Sequence, residues 1–387
     1  MPRSAASALF GALFSLAAAF PALAAEPAIH IGVTVSSTGP AASLGISERN
    51  TFSILPKTIA GHPVDYYVLD DGTDATHGVT NMRKLIDEDN VDAMIGSTAV
   101  PASAAMIPVA AEKHVPTITL AASATLIEPP TGDKRWMFKT PQNDSLMADA
   151  IAAHMVKEHV KTIGFIGFND GYGDSWLTEM QRAAKAHGMS IVDVERYARN
   201  DTSVTGQALK IIAAKPDAVL IVGAGTPAAL PERTLRQYGY KGLYYQTHGA
   251  ASSAFLTAAG KDAEGTFLPV GPVVVADQLP DSSPVKKVAL GYIHAYEKKF
   301  GAGSSTSFGS DAYDAYLRLR AAIPVALKKG QPGTRAFRDA LRDALEHQTN
   351  LVVTNGFVNT TPQDHNGLDT RARVMVVVKN GTWKLVP

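Results

Sequence analysis

Between residues 29 and 124 the chain runs three times through one cycle: a short apolar strand, a loop of small and hydroxyl-bearing residues, then a helix. The first cycle is the plainest. Ile29, Ile31, Val33 and Val35 give alternating β-branched residues, and Ser36 to Gly45 follows as a small, Gly-containing loop before a helix expected near residues 46–56. A strand over 62–69 and a helix over 76–89 come next, the helix with Val79, Met82, Leu85 and Ile86 on one face. Strand 91–96 ends in Ser97-Thr98 and precedes helix 102–112, and strand 115–120 ends in Ala121-Ala122-Ser123-Ala124. Strands that alternate with helices are joined by crossovers, which makes a parallel sheet covered on both faces. Ligands of such sheets bind beyond the carboxyl ends of the strands, so the three loops share one edge. Singly, each is an ordinary strand-to-helix turn. Together they offer backbone N–H groups and helix N-termini to one crevice, which favours an anionic ligand group.

The cycle then restarts. Residues 135–141 read as an extended crossover and 145–158 as a helix, with Asp144 at its N-cap. Strand 162–167, a loop at 169–174 and helix 175–187 follow. After them come strand 190–197, helix 203–214, strand 218–222 ending in Gly223-Ala224-Gly225-Thr226, helix 231–238, and strand 242–246 ending in Thr247-His248-Gly249. Residues 265–280 suit a second crossover. Helix 284–300, a flexible loop over 301–309, and helices 311–327 and 334–346 lead to a tail with a strand at 374–379 and an Asn380-Gly381 hairpin turn.

At 387 residues there is room for two domains, and 36 basic against 36 acidic residues leave no field to attract nucleic acid. Residues 1–24 read as a cleavable export signal: a basic start, an apolar stretch over 9–19, and Ala22-Leu23-Ala24 as the cleavage site. The sequence has no cysteine, which excludes disulfides, a lipid-modified cysteine at the cleavage site, a thiol nucleophile and thiolate metal sites. Catalytic signatures are also missing. There is no Gly-x-Ser-x-Gly elbow, Walker loop or His-Glu-x-x-His, and His154 and His159 are five apart, a poor spacing for one helical face. Asp70-Asp71-Gly72-Thr73-Asp74 lacks the carboxylate spacing of a calcium loop and reads as a capped turn. No catalytic residue, cofactor or metal is expected.

Several segments, in this order, carry a resemblance: Thr38-Gly39-Pro40 with Gly45, Asp70-Asp71-Gly72, Ile95-Gly96-Ser97-Thr98, Val115-Pro116 with Ala121-Ala122-Ser123, and Asp170-Gly171-Tyr172-Gly173. The chain resembles the solute-binding proteins of branched-chain-amino-acid-type ABC transporters, over essentially its whole length after the signal. The resemblance implies an α/β fold of two doubly wound parallel-sheet lobes joined by three crossovers, the type I periplasmic binding protein fold. It implies one lobe of residues 28–140 and 272–354 and another of 141–271 and 355–387. It also implies an exported periplasmic monomer that closes on a small solute and delivers it to a permease and ATPase complex at the inner membrane. A sensory ligand-binding protein is the alternative from another class.

Carried over by position, Ser97 or Thr98 and the loop Ala121, Ala122 and Ser123 would hold a ligand carboxylate through N–H and hydroxyl donors. Leu44 sits where many relatives place an aromatic, and Tyr172 and the loop Gly225-Thr226 would close over the ligand from the second lobe. Phe308 is a candidate wall. The departure is His248, where amino-acid binders of this type commonly place a glutamate for the ligand ammonium. An imidazole supplies no negative charge. That favours a carboxylate without an amine, such as a benzoate or phenylpropenoate derivative, over a branched-chain or other apolar amino acid. Glu128, Asp170 and Asp174 are the carboxylates in loop reach that would reverse the preference.

Overall fold

A computed structural model describes Met1 and residues 26–386; the expected export signal, Met1 aside, lies outside the described residues. The first lobe opens with β1 (Ile29–Val35), α1 (Ala42–Phe52), β2 (Thr58–Ile59), β3 (His62–Asp70) and α2 (Ala75–Asp87). It continues with β4 (Ala93–Ile95), α3 (Val100–Lys113), β5 (Thr117–Thr119) and β6 (Met137–Lys139). The chain then crosses to α4 (Asp144–Lys157), β7 (Thr162–Phe168), α5 (Gly171–Ala186), β8 (Ser190–Tyr197), α6 (Thr205–Ala214) and β9 (Ala218–Val222). α7 (Ala229–Gln237), β10 (Leu243–Gln246), α8 (Ser253–Ala259) and β11 (Phe267–Val270) complete that run. It returns through α9 (Pro284–Phe300), α10 (Ser307–Ala326), α11 (Arg335–Leu345) and the hairpin β12 (Leu351–Val353) and β13 (Gly356–Val358). β14 (Val374–Lys379) and β15 (Thr382–Leu385) end it.

Two sheets result. The first runs β2-β3-β1-β4-β5-β6, parallel except for β2; the second runs β15-β14-β11-β10-β9-β7-β8, in which only β14 is reversed, pairing antiparallel with both β11 and β15. Ile29, Ile31, Val33 and Val35 are wholly buried, as is Thr34 on the other face, because helices cover both sides of β1. On one side lie Met82, Leu85 and Met106 of α2 and α3; Leu319 and Ile323 of α10 with Phe337 and Leu341 of α11 pack into the cluster that contains β1's isoleucines. The chain passes between the sheets three times, after β6, after β11 and before β14, as the resemblance implies.

Both sheets reverse direction of growth at a central strand. β1 lies between β3 and β4, and β7 between β8 and β9. These are topological switch points, where adjacent loops splay apart and leave a crevice. The loops that border them are those after β1 and β4 in one lobe, and after β7 and β9 in the other.

Five local readings are corrected. Residues 135–141 are not only a crossover, since 137–139 add β6 to the first sheet, and 265–280 contain β11. Asp144 is the first residue of α4, with Asn143 as N-cap, and its buried carboxylate accepts Ser175 Oγ at 2.6 Å. α5 begins four residues early: Asp170 caps it by accepting Tyr172 N–H at 2.9 Å, so Tyr172 is helical. α10 likewise begins at Ser307, capped by Thr306, which puts Phe308 in a helix. For α5 and α10 a side-chain cap decided the boundary, and apolar periodicity does not register caps. Asn380 and Gly381 have φ of 53° and 67°, the left-handed pair that a two-residue turn between β14 and β15 requires.

Candidate functional site

The acidic turn after β3 ties the first lobe's loops together. Asp71 is fully buried and accepts Ser36 Oγ at 2.6 Å, Ser97 Oγ at 2.7 Å and Thr34 Oγ1 at 3.2 Å. Asp70 accepts the N–H groups of Ser37 and Gly72 at 2.9 and 3.0 Å, and Asp74 caps α2 through His77 N–H. This fixes where each hydroxyl goes. Ser97 is turned to Asp71 and does not border the cleft between the lobes. Thr98 borders it, yet its hydroxyl accepts Ser36 N–H at 2.9 Å and donates to Glu48. Ser123 caps a 3-10 turn, accepting Thr125 N–H at 3.3 Å and pairing with Thr125 Oγ1 at 2.8 Å. The expected hydroxyl donors are therefore engaged within the lobe. What remains is backbone: among the described residues, the N–H groups of Thr98, Ala122 and Ser123 meet no intramolecular acceptor, and α3 starts at the cleft without a side-chain cap. Lys139 braces this loop from below, its buried ammonium donating to the carbonyls of Ala122 and Gln142.

Glu48, fully buried under Thr98, is pushed up from 4.5 to about 8 by burial. Its folded value lies above its unfolded one, so its contribution to stability is complete below pH 4.5 and is lost as pH rises toward 8. Glu232 and Asp314, each pushed up to about 7, act in the same sense. Glu48→Gln, neutral at every pH, is expected to gain melting temperature relative to the wild type between pH 5 and pH 8. Melts at the two pH values check this; an unchanged difference would mean that Glu48 ionises freely in the fold.

The cleft between the lobes encloses about 40 Å³, room for a few atoms beyond the roughly 10–15 Å³ that one water needs. Its walls are mainly apolar: Leu44, Val100 and Leu120 from the first lobe, Ala224 from the second, and Phe308 from α10. Tyr172 closes one side, its hydroxyl paired with Thr247 Oγ1 at 2.8 Å. Ala121 is buried behind the cleft, with Ala122 facing it. Gly225 and Thr226 lie at the rim instead of in the lining. Thr226 N–H reaches Ser43 Oγ at 3.4 Å, and a Cβ on Gly225, which has φ +61°, would sit 2.6 Å from Leu44 Cδ1. That spot needs glycine for both conformation and room.

His248 stands in the turn after β10, 8% exposed, 5.8 Å from the Trp176 ring, with neither ring nitrogen hydrogen-bonded. Burial, with a smaller push from the Lys139 ammonium, holds it down to about 3, so it is neutral. Apart from apolar and small wall residues such as Val100, Leu120 and Ala224, two charged lining residues escaped the sequence reading. Arg199 follows β8; its Nε donates to Asp170 Oδ2 at 2.6 Å, its guanidinium lies 4.2 Å from the Phe168 centroid, and its terminal nitrogens make no hydrogen bond among the described residues. It was findable as the lone cation just past a strand at the ligand-facing edge. Asp311 is three residues after Phe308, hence on the same helical face, and burial pushes its carboxyl well above the usual range. Of the carboxylates weighed from sequence none borders the cleft. Asp170 caps α5 and pairs with Arg199, Asp174 pairs with Arg196 at 2.9 Å, and Glu128 accepts Asn143 at 2.8 Å.

Comparison with known proteins gives a consistent picture. A periplasmic binding protein family profile matches residues 28–382. No curated protein matches. An extracellular ligand-binding receptor from Rhodopseudomonas palustris is 44% identical, covering 94% of this chain and 100% of that one, with a TM-score of 0.90. A leucine-binding protein from Thermotoga maritima is 21% identical over 93% of this chain and 98% of that one, TM-score 0.78. An ABC transporter solute-binding protein from R. palustris, in complex with benzoate, is 17% identical over 93% and 95%, TM-score 0.75. The last two likenesses are of fold alone.

Proposed function

We propose, on the premise that this chain belongs to the periplasmic binding protein family, that the solute it binds for an ABC-type transporter is a small aromatic carboxylate of the benzoate or phenylpropenoate kind. The family is non-catalytic, and the cleft is read as a binding site only. The observation that carries the ligand reading is Arg199: a half-committed cation facing a cleft whose other walls are apolar. Asp170 pairs with Arg199 while the next residue, Gly171, packs on Val100 at the start of α3. Arg199 and the residues that carry the free N–H groups, Thr98 and Ala122, all line the cleft. A desolvated carboxylate is held there by charge-assisted bonds, and a flat ring enters between the apolar walls once the lobes part to widen the cleft. Exported to the periplasm as a monomer, the protein closes residues 28–140 and 272–354 against 141–271 and 355–387 by hinge motion and presents the solute to a permease and ATPase complex.

A second reading, an apolar amino acid, is favoured by Asp311, a carboxylate in the lining. Against it, burial pushes the Asp311 carboxyl well above its usual range and disfavours its charged form, and His248 is neutral, so the lining favours no ammonium. Structural relatives include both a benzoate complex and a leucine-binding protein, and at such identities neither decides the ligand. Calorimetry tests the choice. A saturable isotherm is expected with 4-hydroxybenzoate and no heat with leucine; tight leucine binding without a signal from aromatic acids would overturn the proposal.

A further inference from the structure

Behind the cleft, and sharing His248, Phe308 and Asp311 with it, lies a chamber of about 10 Å³, close to the roughly 10–15 Å³ that one water or one hydroxyl oxygen occupies. Its back is where the chain passes between the lobes. Gln142 comes from the first crossing, Gly271 from the second, and Asn355 from the turn between β12 and β13. The chamber is polar and unsatisfied. Both ring nitrogens of His248 and Oδ1 of Asn355 are buried without a partner, and Asp311 has a single, long bond from Asn355 Nδ2 at 3.3 Å. Buried polar groups are nearly always hydrogen-bonded, so three orphans around one small space point to a missing polar atom. Arg199 does not border this chamber; it faces the outer cleft only.

Resting on the aromatic-acid reading above, we propose that this chamber reads a phenolic hydroxyl at the end of the ligand opposite its carboxylate, so that the protein selects hydroxylated aromatic acids over unsubstituted ones. A neutral imidazole always leaves one nitrogen as acceptor, and Asn355 Oδ1 is a second acceptor, so the phenol O–H has somewhere to donate. Burial, with Asp314 and Glu48 nearby, favours the neutral carboxyl of Asp311, the form that offers an O–H to the phenol oxygen. A methyl group in the same place fits by size and leaves all of these groups unpaired, the situation in which a polar site rejects an isostere most strongly.

Calorimetry of the mature chain with 4-hydroxybenzoate and 4-methylbenzoate tests this. The hydroxylated acid is expected to bind at least about tenfold tighter, since the methyl analogue leaves the chamber's buried polar groups orphaned. Asp311→Ala and His248→Leu should each shrink that ratio. Equal affinities in the wild type overturn the chamber's role and leave the aromatic-acid reading intact. A ratio that survives both substitutions overturns the assignment to this chamber, and leucine binding with neither acid bound overturns both proposals.

Discussion

Arg199→Ala is expected to weaken binding of an aromatic carboxylate by about 30- to 1000-fold, the equivalent of about 2–4 kcal/mol. The guanidinium is well placed to matter this much. It stacks over Phe168, is anchored through Nε to Asp170, and keeps its terminal nitrogens for the cleft, so little rotamer freedom remains to be lost on binding. Part of the loss reflects an Asp170 left without its cation, because removing one member of a shielded pair strands the other. Arg199→Lys separates the two effects: it restores charge beside Asp170 but not the planar fork, and should recover only part of the affinity. Calorimetry with 4-hydroxybenzoate, with melting temperatures as a folding control, gives the answer. Wild-type affinity in Arg199→Ala would make Arg199 a structural partner of Asp170 and assign the carboxylate to the backbone donors alone.

The second large effect concerns stability. Arg318 on α10 is 1% exposed, and its guanidinium holds together segments far apart in sequence. Nε donates to Gln348 Oε1 at 2.9 Å, Nη1 to the Lys139 carbonyl at 2.8 Å, and Nη2 to the His365 carbonyl at 3.3 Å. Gln348 returns a bond to the Arg318 carbonyl at 2.8 Å, and His365 stacks on Phe138 with centroids 4.4 Å apart. Burial lowers the guanidinium to about 10, which leaves it charged at neutral pH. Arg318→Leu keeps an apolar stem but leaves these acceptors buried and bare, and it should cost about 3–5 kcal/mol of unfolding free energy. Urea titration followed by fluorescence measures it. A loss below about 1 kcal/mol would mean that water replaces the guanidinium under α10. Arg318 lies outside the cleft lining, so the folded fraction should keep its ligand affinity.

Much of the fold was legible because its signals are local. β1, at Ile29–Val35, and the strands at Ala218–Val222 and Val374–Lys379 have the expected bounds, and helix Pro284–Phe300 does too. A strand buried on both faces or a long amphipathic helix writes its period into neighbouring residues. β6, α8 and the β12–β13 hairpin were not anticipated. Each is seven residues or fewer, too short for a period to show, and β6 exists because a partner edge, β5, is there to pair with.

The alternation of strands and helices and the edge at which the loops gather are written in the chain itself, and the candidates Leu44, Tyr172, His248 and Phe308 lie on the border of the cleft. Strand order and hydrophobic period suffice for the alternation and the edge, since a loop after a parallel strand can only lie at one end of the sheet; Leu44, Tyr172 and His248 rest on the resemblance. Tertiary structure alone decided which polar atoms are left over. Ser97, Thr98 and Ser123 look like free donors in the chain, but Asp71, Glu48 and Thr125 take their hydroxyls. Arg199 and Asp311 look like surface charges, but two lobes bring them to the same slot. Hydrogen bonding is pairwise and saturable. A residue type states what a group can do, and only its neighbours in space, here often more than a hundred residues away, state whether it is still free to do so.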